Sequence, residues 1–172
     1  ERIRRELRRN GQALEVDDPA GALLSLKICD PAMGSGHFLV SLVDYLADQA
    51  LEASAVAGAR LARDAPDWHY ESPLLARIRA IRARILANAR NGSWTIDEAQ
   101  LDDRHIVRRM ILKRVIHGAD KNPMAVELAK LSLWLHTFTV GAPLSFLDHH
   151  LRCGDALFGE RAVRGESLPR RV

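Results

Sequence analysis

Apolar positions along this chain keep two rhythms, and the change from one to the other marks the elements. In residues 1–15, Ile3, Leu7 and Leu14 share a helical face among Arg and Glu, which predicts a charged helix. Asp17-Asp18-Pro19 and Gly21 break it. Residues 23–29 form a short apolar run that stops at Asp30-Pro31, the pattern of a buried strand feeding a tight turn. After Gly34-Ser35-Gly36 a helical rhythm resumes, with Phe38, Leu42, Tyr45, Leu46 and Leu51 recurring and Asp44 and Asp48 opposite. Residues 53–114 are rich in Ala and Arg. Leu74, Ile78, Ile81 and Ile85 step along one helix face there, Asn91-Gly92 ends that helix, and residues 95–100 read as the capped start of another. This stretch predicts at least two helices and no strand. Residues 115–119 form a second strand closed by Asp120. Asn122-Pro123 then opens a helix, since Asn caps free N–H groups and Pro suits the first helical position. Leu128, Leu131, Leu135 and Phe138 are its predicted buried stripe, Trp134 belongs with them as core, and Gly141-Ala142-Pro143 stops it. A third strand is predicted at residues 149–153, before Gly154-Asp155, and nothing periodic follows Gly159.

Strand, Gly-turn, helix, helical insert, strand, helix, strand is the order of an α/β domain with a parallel sheet. Ligands of such sheets sit at the carboxyl ends of the strands, which is where Asp30, Asp120 and Asp155 fall. The length of 172 residues suits one domain, and a 47% apolar share suffices for a core and excludes a wholly disordered chain. No run approaches the ~18 apolar residues of a membrane span, so no membrane partner is expected. Glu1-Arg2-Ile3-Arg4-Arg5 does not begin a signal peptide, and the missing initiator Met reads as a processing or cloning boundary. Cys29 and Cys153 lack CxxC spacing and cannot build a disulfide framework; they are expected as buried or half-buried thiols of a reducing, cytoplasmic compartment.

Charge changes the picture once its distribution is considered. The whole chain carries +3, yet residues 76–114 hold ten bases and four acids, a net +6. Such an insert offers phosphate contacts, with Arg79, Arg82 and Arg90 as candidates, or simply forms a solvated helical face, the reading preferred on residue type because Arg is a good helix former.

The densest chemical signal is Asp30-Pro31-Ala32-Met33-Gly34-Ser35-Gly36-His37-Phe38-Leu39. Its glycines permit a sharp turn, and the helix behind offers free N–H groups to an anion. A dinucleotide fingerprint needs a third Gly where Leu39 stands, and a P-loop needs Gly-Lys-Ser/Thr, which is absent. His37 reads as a helix-start residue, Phe38 as core, and the adjacent His149-His150 pair lacks a third partner for a metal.

This segment resembles motif I, D-P-A-x-G-S-G-x-F-L, of S-adenosylmethionine-dependent N6-adenine DNA methyltransferases. Residues 116–129, with Asp120-Lys121-Asn122-Pro123, are similar to their motif II, and Leu151-Arg152-Cys153-Gly154-Asp155-Ala156-Leu157 to their motif III. The subgroup most alike is the large restriction–modification and phage-exclusion methylases, with which the chain shares Leu131-Ser132-Leu133-Trp134-Leu135 and residues 148–155. The resemblance implies a Rossmann-like methyltransferase core interrupted by a helical insert. It divides the chain into an N-terminal helix and linker (1–22), a motif I unit (23–52), the basic insert (53–114), motifs II and III (115–159) and a tail (160–172). It implies S-adenosyl-L-methionine as cofactor and double-stranded DNA as partner. The backbone around Pro31, Ala32, Gly34 and Gly36 would receive the methionine moiety and Asp30 its ammonium. Asp120 would accept from the ribose hydroxyls and Asp155 from the adenine amino group, with Lys121 and Asn122 flanking the adenine.

The same resemblance places methyl transfer on a motif (N/D)-P-P-(Y/F), which does not occur in residues 1–172, and neither an upstream motif X nor a target-recognition region is recognisable. The expectation is therefore the cofactor half of a larger enzyme, inactive alone and without a catalytic residue of its own. The alternatives are the cofactor part of a methylase acting on protein glutamine or RNA bases, and a non-catalytic interaction module.

Overall fold

The computed structural model describes residues 3–9, 12–68, 71–91, 101–138 and 147–156. Five strands and five helices follow in the order β1 (Arg4–Arg9), β2 (Gln12–Asp17), α1 (Pro19–Ser25), β3 (Ile28–Asp30), α2 (His37–Asp64), α3 (Pro73–Asn91), α4 (Asp103–Arg114), β4 (Ile116–Asp120), α5 (Pro123–His136) and β5 (Leu151–Cys153). The architecture is mixed α/β. Strands β3, β4 and β5 form a parallel sheet in that spatial order, flanked by helices, and β1 pairs with β2 as a separate antiparallel hairpin.

The hairpin overturns the charged helix expected over residues 1–15. Cross-strand pairing sets Leu7 opposite Leu14 and Arg5 opposite Val16. Arg4 reaches Glu15 at 3.1 Å, so charges that would line a helix face instead pair across a ladder. The first apolar run is also redistributed. Residues 23–25 belong to α1, which keeps Gly21 inside it, and only Ile28–Asp30 is strand. Asp18 is 1% exposed and caps α1, accepting from the Gly21 N–H at 2.9 Å and from Arg5 Nε at 3.1 Å. That satisfies an otherwise orphan amide and neutralises the buried carboxylate at once.

Helix α2 has 28 residues, about 42 Å at 1.5 Å each, and forms the spine of the domain. Its buried stripe is Leu39, Val43, Leu46, Ala47 and Ala50, whereas Phe38 and Tyr45, expected inside, are exposed. Helices α1, α4 and α5 pack on α2, and α3 packs on α4 through Leu74, Ile78 and Ile85. Polar ties reinforce this: Asp44 Oδ1 lies 2.6 Å from Arg108 Nε and 2.8 Å from His136 Nε2, joining α2, α4 and α5. Arg104 of α4 bonds Asp48 of α2 at 2.6 Å. Asp102 caps α4; residues 92–100, where the start of a further helix is expected, lie outside the described residues, as do the expected helix stop at 141–143 and the tail after Gly159.

Helix α5 turns a different face inward from the one its leucines suggested. Val126, Ala129 and Leu133 are buried, while Met124, Leu128, Leu131, Leu135 and Phe138 are exposed and Trp134 is half-buried, edge-on to Phe138. The helix is apolar nearly all round, and tertiary packing chose its small-residue face because α2 begins directly against Ala129. On the sheet, Ile116, Gly118 and Leu151 point into the core, while the alternate positions Cys29, His117 and Arg152 are exposed or half-exposed. Cys29 is thus an exposed thiol rather than a buried one; Cys153 is half-buried, and both are free. No helix among the described residues is long and apolar enough to cross a membrane.

Candidate functional site at the carboxyl ends of the parallel strands

Parallel register aligns Asp30 with Gly118 and Asp120 with Cys153, so the three strands end side by side. Asp30 closes β3, Asp120 closes β4 and Asp155 follows β5 by two residues. The structure thus brings together at one sheet edge the three acids that the sequence holds far apart.

The loop between β3 and α2 is held by its own amides. Ala32 N–H donates to Asp30 Oδ1 at 3.0 Å, and Met33 N–H to the Ala119 carbonyl at 3.1 Å. Gly34 N–H donates to Asp120 Oδ2 at 2.8 Å, and Gly36 N–H to the Met33 carbonyl at 2.9 Å. Two positions in it require glycine. Gly34 has φ +54° and Gly36 has φ +82°, in the left-handed region that L side chains rarely adopt. At Gly36 a Cβ would also lie 3.0 Å from Ala129 Cβ, so this residue lets α2 start against α5.

Asp120 is the hinge pin of the site. Its Oδ2 accepts from Gly34 and its Oδ1 from Asn122 N–H at 2.8 Å, binding the first loop to the end of β4. These two N–H donors hold its carboxyl below the ordinary carboxylate range, the Asn122 bond contributing most. Each oxygen keeps a second lone pair for an outside hydroxyl. The Asp120 carbonyl accepts from Gly154 N–H at 2.9 Å, which carries the linkage on to the third strand. Asp155 lies 3.4 Å from Lys121 Nζ, and the Lys121 side chain is otherwise extended into solvent.

The structure shows what several of these groups already bond. The N–H groups of Ala32, Gly34 and Gly36 have protein acceptors and so hold the shape of the loop. The open donors belong to the first turn of α2, whose N-cap, Gly36, has no side chain to satisfy them. Asn122 is likewise occupied, its Oδ1 capping α5 through Met124 N–H at 3.0 Å, although its side-chain amide nitrogen is left for another partner. Pro31 and Ala32 are exposed at the loop tip, and His37 is the first residue of α2, as expected.

Sequence reasoning also missed Met33 and Gly118. Met33 is buried beneath the loop, and a Cβ at Gly118 would stand 2.4 Å from its Sδ. The bare strand position therefore makes the socket that seats the loop. A glycine in the middle of a strand was the available signal, since it marks a close approach.

Among the described residues no group of three or more His, Cys, Asp or Glu is placed to hold a metal ion. His150 instead lies against the Ile116 carbonyl at 2.9 Å and against the ring of His117, 4.9 Å between centroids. Comparison with protein-family models, with curated proteins and with solved structures found no match to this chain.

Proposed function

We propose that this chain is the S-adenosylmethionine-binding portion of a DNA adenine-N6 methyltransferase of the restriction–modification or phage-defence kind. The observation that carries the reading is the convergence of Asp30, Asp120 and Asp155 at the ends of three adjacent parallel strands, beside a glycine loop and the uncapped start of α2. The choice of DNA adenine rests on the sequence resemblance of the three motif blocks.

The donor set suits that cofactor. Its carboxylate matches the N–H groups at the positive end of α2, and its ammonium matches Asp30, which is partly exposed. Its ribose hydroxyls match the remaining lone pairs of Asp120, a carboxylate held ionised and immobile by two backbone N–H groups. Its adenine amino group matches Asp155, once the exposed Lys121 swings away or stays as a lid. When bound, the cofactor supplies a methyl on an electron-poor sulfonium. The chain's own part is positioning: a loop pinned at both ends fixes the ligand before any partner arrives. The residues that would hold the methyl acceptor are not in the three motifs.

Calorimetric titration of the chain with S-adenosylmethionine tests the reading. Saturable one-to-one binding is expected, weakened at least tenfold in Asp120→Ala and in Asp155→Ala, with the folded state checked by circular dichroism. Wild-type affinity in folded Asp120→Ala, or no binding at millimolar cofactor, overturns the assignment.

A further inference from the structure

Helix α5 carries a second apolar stripe that the described domain leaves uncovered. Met124, Leu128, Leu131 and Leu135 follow one another at steps of four, three and four residues, and Phe138 continues the series three residues on. Phe138 stands just past the Thr137 cap, kept in a last turn by its N–H to the Leu135 carbonyl at 3.4 Å and edge-on to Trp134. All five stripe residues are between 46% and 66% exposed. At 3.6 residues per turn the stripe lies on the side of α5 opposite Val126, Ala129 and Leu133, which face the core. It therefore points away from the sheet, and no charged residue interrupts it. Alternating steps of four and three are the spacing with which one helix seats on another.

We propose that this stripe joins two copies of the chain, α5 packing antiparallel on α5 about a two-fold axis at Leu131. A two-fold interface must be self-complementary, so that each contact occurs twice in reverse. The stripe meets that condition. Met124 and Phe138 lie seven residues to either side of Leu131, Leu128 three before it and Leu135 four after it. Turned on itself, the stripe sets Met124 toward the partner's Phe138, Leu128 toward the partner's Leu135, and Leu131 against the partner's Leu131. A thioether against an aromatic ring is a favourable pair, and antiparallel helices oppose their dipoles. One margin of the stripe holds Ala125 and Ser132, small enough for close approach. The other holds Glu127, already bonded to Lys130 at 2.8 Å. Four residues from the axis, the two Glu127 side chains would stand about 12 Å apart along the seam, beyond the screening length of about 10 Å at 0.1 M salt.

The area agrees with this occupant. An aromatic side chain covers about 150–250 Å² and Leu or Met somewhat less, so the exposed fractions leave on the order of 500 Å² of apolar surface per copy. That is toward the upper end of what a monomer shows to water. Two copies together would bury about 1,000 Å², the size at which a specific interface begins, and one that gives a reversible dimer rather than an obligate one. A lipid surface fits less well. A helix lying on a membrane carries Lys and Arg along its polar margins, whereas the margins here are Ala125, Ser132, Trp134 and the paired Glu127. Nothing in this pairing depends on the cofactor reading.

Sedimentation equilibrium of the chain between about 1 and 200 μM tests the pairing. The wild type should pass across that range from the 19.2 kDa of one chain toward twice that mass. Leu131→Glu sets two carboxylates against each other on the axis and should raise the dissociation constant at least a hundredfold. Leu131 is half exposed in the single copy, so circular dichroism should show the fold unchanged. Tyr45→Glu alters an exposed aromatic of α2 outside the stripe and should change the constant less than threefold. Leu128→Lys and Leu135→Glu should each weaken the dimer at least tenfold. Combined in one chain, they bring opposite charges together across the axis and should recover most of that loss. Parallel pairing would instead bring like charges together and make the combined variant the weakest. A wild type monomeric at the highest concentration, a folded Leu131→Glu that still dimerises, or an equal loss in Tyr45→Glu overturns the proposal. So does a combined variant weaker than either single one, or a monomeric chain that binds phosphatidylcholine vesicles through the stripe.

Discussion

Gly118→Ala should loosen the site loop from within the core. In the middle of β4, a methyl at this position would lie 2.4 Å from Met33 Sδ, 3.1 Å from Leu39 Cδ1 and 3.2 Å from Leu151 Cδ2. Leu39 and Leu151 are fully buried and hemmed in, so Met33 must yield. Overpacking of this kind costs about 1–3 kcal/mol. The backbone at Gly118 is not left-handed, so alanine recovers about 0.4–1 kcal/mol through the unfolded chain. The net loss is about 1–2 kcal/mol, a fall in melting temperature of roughly 3–6 °C for a domain of this size. Met33→Ala alone opens a cavity and should cost about 2–5 kcal/mol. In the double variant the added methyl occupies part of that space, so the two losses should fall short of additivity by about 1 kcal/mol or more. Urea unfolding followed by far-ultraviolet circular dichroism on all four proteins measures the cycle. Strict additivity would show that Met33 and Gly118 do not share a socket. Because Met33 N–H is bonded to Ala119 and the next residue to Asp120, Gly118→Ala should also weaken cofactor binding more than its stability loss alone explains.

Leu133→Ala, at a fully buried position of α5, should cost about 2–5 kcal/mol, whereas Leu131→Gln, half exposed, should stay within about 0.5 kcal/mol; equal losses in chemical denaturation would contradict the assigned face. The two backbone N–H groups on Asp120 depress its folded-state pKa, so its contribution is present above the unfolded value and lost as pH falls through the folded one. The stability gap between wild type and Asp120→Asn should therefore be constant from pH 5 to 7 and close below about pH 4. A gap that widens in acid would reverse the sign of that argument.

Legibility in the sequence followed the range of the forces involved. Strand β4, the Asn122-Pro123 start of α5 and the strand–loop–helix at Asp30 to Gly36 are local patterns, and the structure has them where the pattern predicts them. Ile3, Leu7 and Leu14 also satisfy a helical period, which hides the hairpin; Asn10-Gly11, a strong hairpin signal between the two strands, is the cue that separates the two patterns. Burial of Leu128 and Leu131 was misjudged because α5 has two apolar faces, and periodicity cannot rank them.

By itself, then, the sequence determined the strand–helix order, the acids that end each strand and the glycines that shape the loop. Such features depend on residues within one or two turns of each other. Tertiary structure alone decided that Gly36 meets Ala129, that Met33 fills the space above Gly118, and that Asp120 pins Gly34 across 86 residues. It also decided which arginines of the insert are spent on Glu71, Asp103, Asp48 and Asp44 and which are left facing outward. A charge count is a property of composition, whereas neutralisation requires a partner within a few ångströms, and only the fold brings one there.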